Sequence, residues 1–460
     1  MRARIRGTLG KGAFVIAASL VGAAFAFACV GDDPLPSGGA STSDASNDVT
    51  QDGAESDGGD AGADAAAPKV VHIVAGLLHS CALYDDGHVK CWGGNTSGEL
   101  GNGTLGGNPV KKPTEVPGLD DAVAIGSGAN HTCVATKTKG VKCWGANYFG
   151  TIGDGAYGVD STFDGGNHRP APTVVPGIND AVKIPSLNNA TSCAILATTP
   201  PTAKCWGIDG YWQVGADATV SCNRLGQPDM CAPSPVVAQG GINVESIGGG
   251  SAHTCVSYGN SAVRCWGFHA GARLGQIGTD GDGSTVKSPA LAVSGYAADE
   301  VVAGQLHTCG RKGGAVTCWG GNTYGVTGQN VTSGTTQTPS SVQLPAPSAA
   351  KQLATRGGTT CALLTNGTVA CWGSNGHKQL GSAANITVAC FSGSGPALDC
   401  RPAAALVDGL SDVTEIAVGN DHVCALVATG GVKCWGSNQN GQLGDGNSGV
   451  DVPSPVDVVF

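Results

Sequence analysis

The stretch His79–Gly103, HSCALYDDGHVKCWGGNTSGELGNG, decides the fold. It contains two cysteines, a turn rich in Asp and Gly between them, then Trp-Gly and a glycine-rich tail that includes Leu-Gly. The residues around the cysteines alternate between apolar and polar, which is the period of a β-strand. The stretch therefore predicts a β-hairpin.

The two cysteines set the register of this hairpin. Cys81 and Cys91 are symmetric about Asp86, so Asp85-Asp86-Gly87 forms a three-residue loop with Gly87 at the position that needs a positive φ. Cys81 then faces Cys91, and directly opposed residues have Cβ atoms about 4.5–5.5 Å apart. We therefore predict a disulfide within the hairpin.

A variant of this stretch occurs seven times. The Cys-Trp-Gly signature recurs at intervals of 52 to 63 residues, at Cys91, Cys143, Cys205, Cys265, Cys318, Cys371 and Cys434. Such periods are typical of propeller blades or solenoid turns. Each unit consists of short strand patterns bounded by glycines, without helical periodicity, which favours an all-β, seven-bladed β-propeller of four-stranded antiparallel blades.

The cysteine spacing follows the turn chemistry in the divergent units. Cys309 and Cys318 require an even loop, which Gly313-Gly314 supplies, and the longer loop between Cys193 and Cys205 contains Pro200-Pro201. This agreement favours disulfide-stapled hairpins over zinc, for which convergent CxxC spacing is expected. The predicted pairs are Cys81–Cys91, Cys133–Cys143, Cys193–Cys205, Cys255–Cys265, Cys309–Cys318, Cys361–Cys371 and Cys424–Cys434. Disulfides imply an oxidising compartment.

A tryptophan follows the second cysteine of every unit and so points to the opposite face of its sheet. We expect these side chains to fill the gaps between neighbouring blades, with carbohydrate stacking as the alternative: Trp92, Trp144, Trp206, Trp266, Trp319, Trp372 and Trp435. Trp212 lies outside this pattern and is predicted to be a surface aromatic residue.

The N-terminal region predicts export. Residues 1–28 have a basic start and an apolar run of small residues, as in a signal peptide. The run ends at Cys29 in a pattern that resembles the lipobox of bacterial lipoproteins, which implies that Cys29 is lipidated; an ordinary secretory peptide cut near Ala28 is the alternative. Residues 29–68 have nine acidic residues and no basic one, and we expect a disordered acidic linker.

The repeat pattern H-x-C-A-L, G-x-V-x-C-W-G-x-N and G-x-L-G resembles the regulator of chromosome condensation repeat over residues 69–460. The resemblance implies a seven-bladed propeller that closes by pairing its two chain ends, with Val456–Phe460 as a last strand against Val70–Val74. A secreted bacterial propeller of the same superfamily that inhibits β-lactamase is a precedent for a role outside the nucleus, although its contact residues cannot be placed on this chain.

Histidine stands two residues before the first cysteine in five units, at His79, His131, His253, His307 and His422. Thr191 and Thr359 replace it in the other two, which favours a repeated structural hydrogen bond over a metal site. We predict no metal and no cofactor, since no phosphate-binding, zinc-protease or nucleophile-elbow motif is present. The net charge of −10 argues against nucleic acid as a partner.

Four units carry inserts after Leu-Gly, at 155–172, 216–236, 276–288 and 382–402. Two of the inserts contain a further cysteine pair, Cys222 with Cys231 and Cys390 with Cys400, which we also predict to be disulfides. Equivalent positions in a propeller lie on one face, so these four cysteines and Trp212 mark a candidate binding face. The alternative is that the insertions are functionally neutral.

Together these features predict a monomeric, non-catalytic binding scaffold, exported and lipid-anchored at the outer membrane or cell surface. A protein or glycan partner would bind through the inserted loops, and the membrane would be contacted only through the anchor. A soluble periplasmic or secreted protein is the alternative location. A polysaccharide-active or other hydrolytic propeller is the alternative function, and guanine-nucleotide exchange is a remote one that only the family name implies, because export and acidity argue against it.

Overall fold

A computed structural model gives the fold of the chain. The predicted signal peptide, Cys29 and linker residues 30–66 lie outside the described residues, as do parts of all four inserts. The structure describes residues 67–158, 167–187, 190–217, 220–224, 227–270, 272–274, 282–381, 388–390 and 398–460.

Seven antiparallel sheets follow one another along the chain, and each is one blade. Blade one contains β1 (Val70–Ala75), β2 (His79–Tyr84), β3 (Val89–Gly93) and β4 (Val110–Glu115). Blade two contains β5 (Ala122–Ser127), β6 (His131–Thr136), β7 (Val141–Gly145) and β8 (Arg169–Val174). Blade three contains β9 (Ala181–Lys183), β10 (Thr191–Leu196), β11 (Thr202–Ile208), β12 (Val220–Arg224) and β13 (Gln227–Ile242). Blade four contains β14 (Val244–Gly249), β15 (His253–Tyr258), β16 (Ala262–Ala270) and β17 (Asp282–Ala297).

Blades five and seven repeat the four-strand order of blade one, and blade six adds a fifth strand to it. Blade five contains β18 (Glu300–Ala303), β19 (His307–Lys312), β20 (Ala315–Gly321), a short 3₁₀ turn (Thr323–Gly325) and β21 (Thr335–Ser341). Blade six contains β22 (Ala350–Arg356), β23 (Thr359–Leu364), β24 (Val369–Ser374), β25 (Val388–Cys390) and β26 (Leu398–Leu406). Blade seven contains β27 (Val413–Val418), β28 (His422–Val427), β29 (Val432–Gly436) and β30 (Val452–Asp457). The predicted seven-bladed propeller is confirmed, with a fifth strand added to blades three and six.

The hairpin register predicted from the cysteines is confirmed. Cys81 faces Cys91 and Leu83 faces Val89 in blade one, and Gly87 has a φ of 98° in the loop. Gly313 and Gly314 both have positive φ in the two-residue turn of blade five. All seven facing pairs are disulfides with Cα atoms 4.1 Å apart.

The seven repeated tryptophans join the blades. Each is fully buried, and its indole Nε1 donates a hydrogen bond to a backbone carbonyl of the preceding blade, as from Trp144 to Glu99 (2.9 Å). The glycine of Leu-Gly makes room for the ring, since a Cβ on Gly101 would lie 2.8 Å from Trp144 Nε1. The predicted packing between blades is therefore confirmed.

The repeated histidines also link neighbouring blades. His79 Nε2 lies 2.9 Å from Thr132 Oγ1, and His422 Nε2 lies 2.9 Å from Ser80 Oγ. Ser80 Oγ donates to the Gln442 carbonyl, so it accepts from the histidine. The structural hydrogen bond predicted for these positions is confirmed, and it runs between blades.

The ring closes differently from the prediction. Val456–Phe460 does not pair with Val70–Val74; instead β30 pairs with β29 as the outermost strand of blade seven, while β1 is the innermost strand of blade one. Closure comes from side-chain contacts and from two backbone hydrogen bonds, from Asn420 N to the Gly76 carbonyl (3.3 Å) and from Gly446 N to the Lys111 carbonyl (3.0 Å). Trp92 Nε1 donates to the Gln442 carbonyl (2.9 Å), and the Phe460 ring packs edge-on against Trp92 with centroids 5.9 Å apart. Side-chain burial thus replaces the backbone ladder that the resemblance implied.

The strand order gives the propeller two faces. The connections from first to second strand and from third to fourth strand, including the inserts, lie on one face, which we call the insert face. The turns from second to third strand and the connections between blades lie on the opposite face. Within the described part of the chain, no helix is long and apolar enough to cross a membrane.

Candidate functional site

Two inserts form matching hairpins on the insert face. In blade three, β12 pairs with the first half of β13 and Val220 faces Cys231; in blade six, β25 pairs with β26 and Val388 faces Cys400. Both hairpins dock on the tail of their own repeat through one backbone hydrogen bond, from Asp209 N to the Met230 carbonyl and from Asn375 N to the Asp399 carbonyl. Blades three and six therefore present equivalent platforms.

The insert cysteines are diagonal neighbours rather than facing pairs. Cys222 faces Asp229, and Cys390 faces Leu398. Cys390 and Cys400 form the predicted disulfide, with Cα atoms 5.9 Å apart.

The predicted disulfide between Cys222 and Cys231 is absent from the structure, which has both as buried thiols. A hydrogen bond between the two sulfur atoms lowers the pKa of Cys222 and raises that of Cys231. The number of residues in a hairpin loop predicts only which residues face each other. It therefore does not determine whether two diagonal cysteines form a disulfide.

An aromatic cluster lies where blade three meets blade four on the insert face. The rings of Tyr211 and Phe268 are 4.7 Å apart, and the Arg273 guanidinium lies 5.3 Å from the Phe268 ring. Tyr211 is 38% exposed and Met230, on the neighbouring hairpin, is 40% exposed. Of these aromatic residues, the sequence pattern singled out only the neighbouring Trp212. Tyr211 could have been found as the residue before Trp212, and Phe268 as an aromatic residue directly after Cys-Trp-Gly.

Trp212 occupies the position that is glycine in the better repeats. Its φ is 67°, close to the 80° of Gly98 at the same place in blade one, and its side chain is partly buried. A bulky residue in the left-handed region is uncommon and is often retained at functional sites. Trp212 directly follows Tyr211 of the aromatic cluster along the chain, and its place in the binding face stays a prediction.

A cavity of about 550 Å³ runs along the propeller axis between the first strands of all seven blades. Its mouth on the opposite face carries four carboxylates. Three have basic partners: Glu415 with His72 (3.1 Å), Glu300 with Arg311 (2.9 Å) and Asp299 with Lys312 (2.6 Å). The fourth is Glu245.

Burial and pairing act in opposite directions on the mouth carboxylates. Burial raises the pKa of Glu300 above its usual range, although the hydrogen bond from Arg311 opposes the shift. Lys312 lowers the pKa of Asp299. Glycoside hydrolysis uses two carboxyl groups that flank one bond, whereas here most of the carboxylates are engaged in ion pairs.

Comparison with known families gives matches to the regulator of chromosome condensation (RCC1) repeat. Two models with this description match parts of the chain. One matches residues 70–99, 122–151, 357–379 and 413–442, and the other matches 86–135. The matched segments fall in blades one, two, six and seven.

Several proteins of known name are similar along much of the chain. The ultraviolet-B receptor UVR8 of Arabidopsis thaliana is 26% identical over 83% of this chain and 80% of its own length. Protein pim1 of Schizosaccharomyces pombe is 24% identical over 84% of this chain and 62% of its own length. The human E3 ubiquitin-protein ligase HERC2 is 25% identical over 57% of this chain, which spans 5% of the ligase.

Solved structures share the fold. Prp20p from Saccharomyces cerevisiae matches with a TM-score of 0.65 and 18% identity, over 85% of this chain and 88% of that one. Human WBSCR16 matches with a TM-score of 0.61 and 19% identity, over 81% of this chain and 94% of that one. At these identities the similarity concerns the propeller alone.

Proposed function

Since this chain is a seven-bladed propeller built from regulator of chromosome condensation repeats, we propose that it is a non-catalytic binding scaffold whose insert face holds a protein partner. The observation that carries the proposal is the contact between the exposed Tyr211 and the half-buried Phe268, beside a blade-three hairpin that exposes Met230. Aromatic residues and methionine are enriched at the centres of protein interfaces.

The scaffold behind this cluster favours binding because it is rigid. A disulfide closes the central hairpin of every blade, and an indole hydrogen bond joins each blade to the one before it. Each insert hairpin is docked on its blade by a backbone hydrogen bond. Side chains held in place before binding lose less conformational freedom on association.

The relatives support the class of partner but not its identity. The structure of Prp20p is described together with its binding to Gsp1p and histones, and a second structure has Kap60 bound to the same yeast protein. Both concern protein partners of a protein that shares this fold. The mouth carboxylates, most of which are in ion pairs, give less support to the hydrolytic alternative.

Affinity capture from envelope fractions tests this proposal. The full chain carrying Tyr211→Ser and Met230→Ser should lose a partner that the unchanged chain retains. Val123→Ser with Val182→Ser is the matched control, because these valines are 45% and 43% exposed at the mouth of the channel on the opposite face. A partner lost only in the control pair would contradict the insert-face assignment, and capture of a glycan in place of a protein would contradict the partner class.

We propose further that the chain is exported and anchored through a lipid on Cys29, as the lipobox resemblance indicates. Metabolic labelling with a radioactive fatty acid should label the unchanged chain and not the Cys29→Ser variant. The variant should also move from the membrane fraction to the soluble one. An unlabelled, soluble chain cut near Ala28 would instead establish the secretory alternative.

A further inference from the structure

In most repeats the residue that faces the axis beside the repeated histidine is glycine, because the imidazole leaves no room for a side chain. In all five units that have the repeated histidine, the residue three positions earlier is glycine. A Cβ at Gly76 would lie 2.1 Å from the imidazole of His79, and the distances at the other four are between 1.9 and 2.1 Å. The histidine ring therefore occupies the space where any other side chain would begin.

Blade six breaks this rule at both positions at once. Thr359 replaces the histidine and Arg356 replaces the glycine. Thr359 Oγ1 donates to the Ser374 carbonyl of its own blade (3.3 Å), and so it leaves the space beside the axis open. The arginine side chain uses this space.

Arg356 crosses the propeller axis. Its Nη2 donates to the Ser127 carbonyl (3.1 Å) and to Ser127 Oγ (3.3 Å), and Ser127 belongs to blade two on the far side of the ring. The residue is 3% exposed and lines the axial cavity. Because β22 ends at Arg356, the guanidinium closes the end of the cavity nearest the insert face.

The charge of this guanidinium is not balanced. Nε and Nη1 have no hydrogen-bond partner, and within the described residues no acidic side chain forms an ion pair with it. The nearby imidazoles of His79, His131 and His422 are neutral at pH 7, because burial and the charge of Arg356 lower the pKa of each to about 3. A buried cation with unused donors is costly unless an anion or a polar ligand satisfies it.

We propose that the axial channel binds a small organic monoanion, with its carboxylate against the guanidinium of Arg356 and its uncharged body along the channel. Charge-assisted hydrogen bonds to an oxyanion would satisfy the unused donors. The cavity volume of about 550 Å³ is within the range of small-molecule sites.

The channel suits a ligand with a single negative charge. Among the described residues, Arg356 is the one cationic side chain that lines its closed end, so a second carboxylate on the ligand would lie among apolar residues there or at the open end. The open end is already close to neutral, because Glu245, Asp299, Glu300 and Glu415 lie there with Lys183, Arg311 and Lys312. Residues nearer to Arg356, such as Val74, Ala303 and Val418, are apolar and suit an uncharged body. The channel opens on the opposite face, so this site is separate from the proposed protein-binding surface and can fail or succeed independently of it.

The chain itself supplies a matched variant for the test. Arg356→Gly combined with Thr359→His restores the pair found in five other blades, so it removes the guanidinium while keeping a packing arrangement that this fold already uses. Arg356→Gln is a second variant that removes the charge alone. Arg169→Gln is the control, because Arg169 is paired with Asp154 away from the axis.

The purified full chain is titrated calorimetrically at pH 7.5 and constant ionic strength with butyrate, benzoate, succinate, citrate and inorganic phosphate, with chloride as the background ion. We expect butyrate or benzoate to bind the unchanged chain and Arg169→Gln at least tenfold more tightly than either Arg356 variant, and more tightly than succinate or citrate.

Equal affinity for the unchanged chain and the restored-pair variant would overturn the site, as would a channel that binds none of the probes. Phosphate binding more tightly than both monocarboxylates would overturn the ligand class. Circular dichroism and a cooperative melt of the restored-pair variant confirm that it is folded, so loss of binding is not loss of structure.

Discussion

Blades one and six have the same central strand ladder and different residues at the propeller axis. The facing pairs run from His79–Gly93 to Leu83–Val89 in blade one and from Thr359–Gly373 to Leu363–Val369 in blade six, with the disulfide at the same step of the ladder. At the axis blade one has Gly76 and blade six has Arg356. The disulfide and the tryptophan therefore hold a blade together whatever residue faces the channel, which leaves the axial positions free to carry binding chemistry.

The largest expected effect is the loss of stability in acid, which comes from the repeated histidine that blade one has and blade six lacks. Unfolded histidine has a pKa near 6.5, whereas burial lowers the pKa of His79, His131, His307 and His422 to about 3 in the folded chain. Stability present above pH 6.5 is therefore lost as the pH falls towards 3, by about 1.4 kcal/mol per histidine and pH unit. Denaturant titrations between pH 7 and 4 should show a steep loss of the free energy of unfolding.

The restored-pair variant sharpens this prediction. Arg356→Gly with Thr359→His adds a sixth histidine at the repeated buried position, so the loss of stability with acid should become steeper. An unchanged slope would mean that the new imidazole is protonated or exposed in the folded chain.

Removal of a repeated tryptophan should affect both blades equally. Trp92 and Trp372 are fully buried, and each donates a 2.9 Å hydrogen bond to the preceding blade. Replacement by Ala should lower the free energy of unfolding by about 3–5 kcal/mol in either blade. Trp212→Gly should cost far less, since its φ of 67° suits glycine. Chemical denaturation measures all three, and a large difference between Trp92→Ala and Trp372→Ala would show that the blades are not equivalent.

The two disulfides of blade six should differ in their contribution. Cys361 and Cys371 face each other in a buried hydrophobic cluster, whereas Cys390 and Cys400 lie in the insert hairpin. Replacing the first pair by Ala should cost about 2–4 kcal/mol. Replacing the second should change global stability by less than about 1 kcal/mol and open the hairpin locally, which hydrogen exchange detects. Equal costs would show that the insert is part of the folding core.

The smallest expected effect concerns Glu99, a buried acid in blade one whose counterpart in blade six is the neutral Gln379. Glu99 in blade one and Gln379 in blade six each accept a hydrogen bond from a backbone N–H of their own tail, and burial raises the pKa of Glu99 to about 7. The unfolded carboxyl ionises near pH 4.5, so the stability of the folded chain falls as the pH rises from about 4.5 to about 7 and stays reduced above it. Glu99→Gln should therefore stabilise the chain by about 1–3 kcal/mol at pH 8 and have little effect at pH 4.

The reciprocal variant Gln379→Glu is the control for this prediction. It should destabilise blade six at pH 8 and not at pH 4, because it introduces a buried carboxyl where an amide is now satisfied. A stabilisation by Glu99→Gln that is the same at both pH values would show that the charge is not its cause.

The parts of the fold that could be predicted are those fixed by local pairing. Each central hairpin has its two cysteines at facing positions, so loop length and turn residues determine the register before any tertiary contact forms. The repeated tryptophans were predictable for the same reason, since strand alternation places Trp92 on the face opposite Cys91. Trp212 could be singled out because the better repeats have glycine at its position.

The parts that could not be predicted depend on contacts between distant segments. The bond from Arg356 to Ser127 joins residues 229 positions apart, and no local pattern indicates that the side chain crosses the axis. The end strand β30 stays in its own blade because Trp92 and Phe460 already bury the seam. The insert cysteines could not be placed in the same way, because loop length determines which residues face each other and these cysteines are diagonal neighbours.

The sequence by itself determined seven sulfur-bridged hairpins and the tryptophans between them, because short-range pairing and strand alternation leave one consistent arrangement. Only the tertiary structure decided how the ring closes, which aromatic residues meet on the insert face, and that a buried, unbalanced guanidinium ends the axial channel. Those features arise where blades converge, and packing around a common axis brings together side chains whose separation along the chain carries no information about their distance.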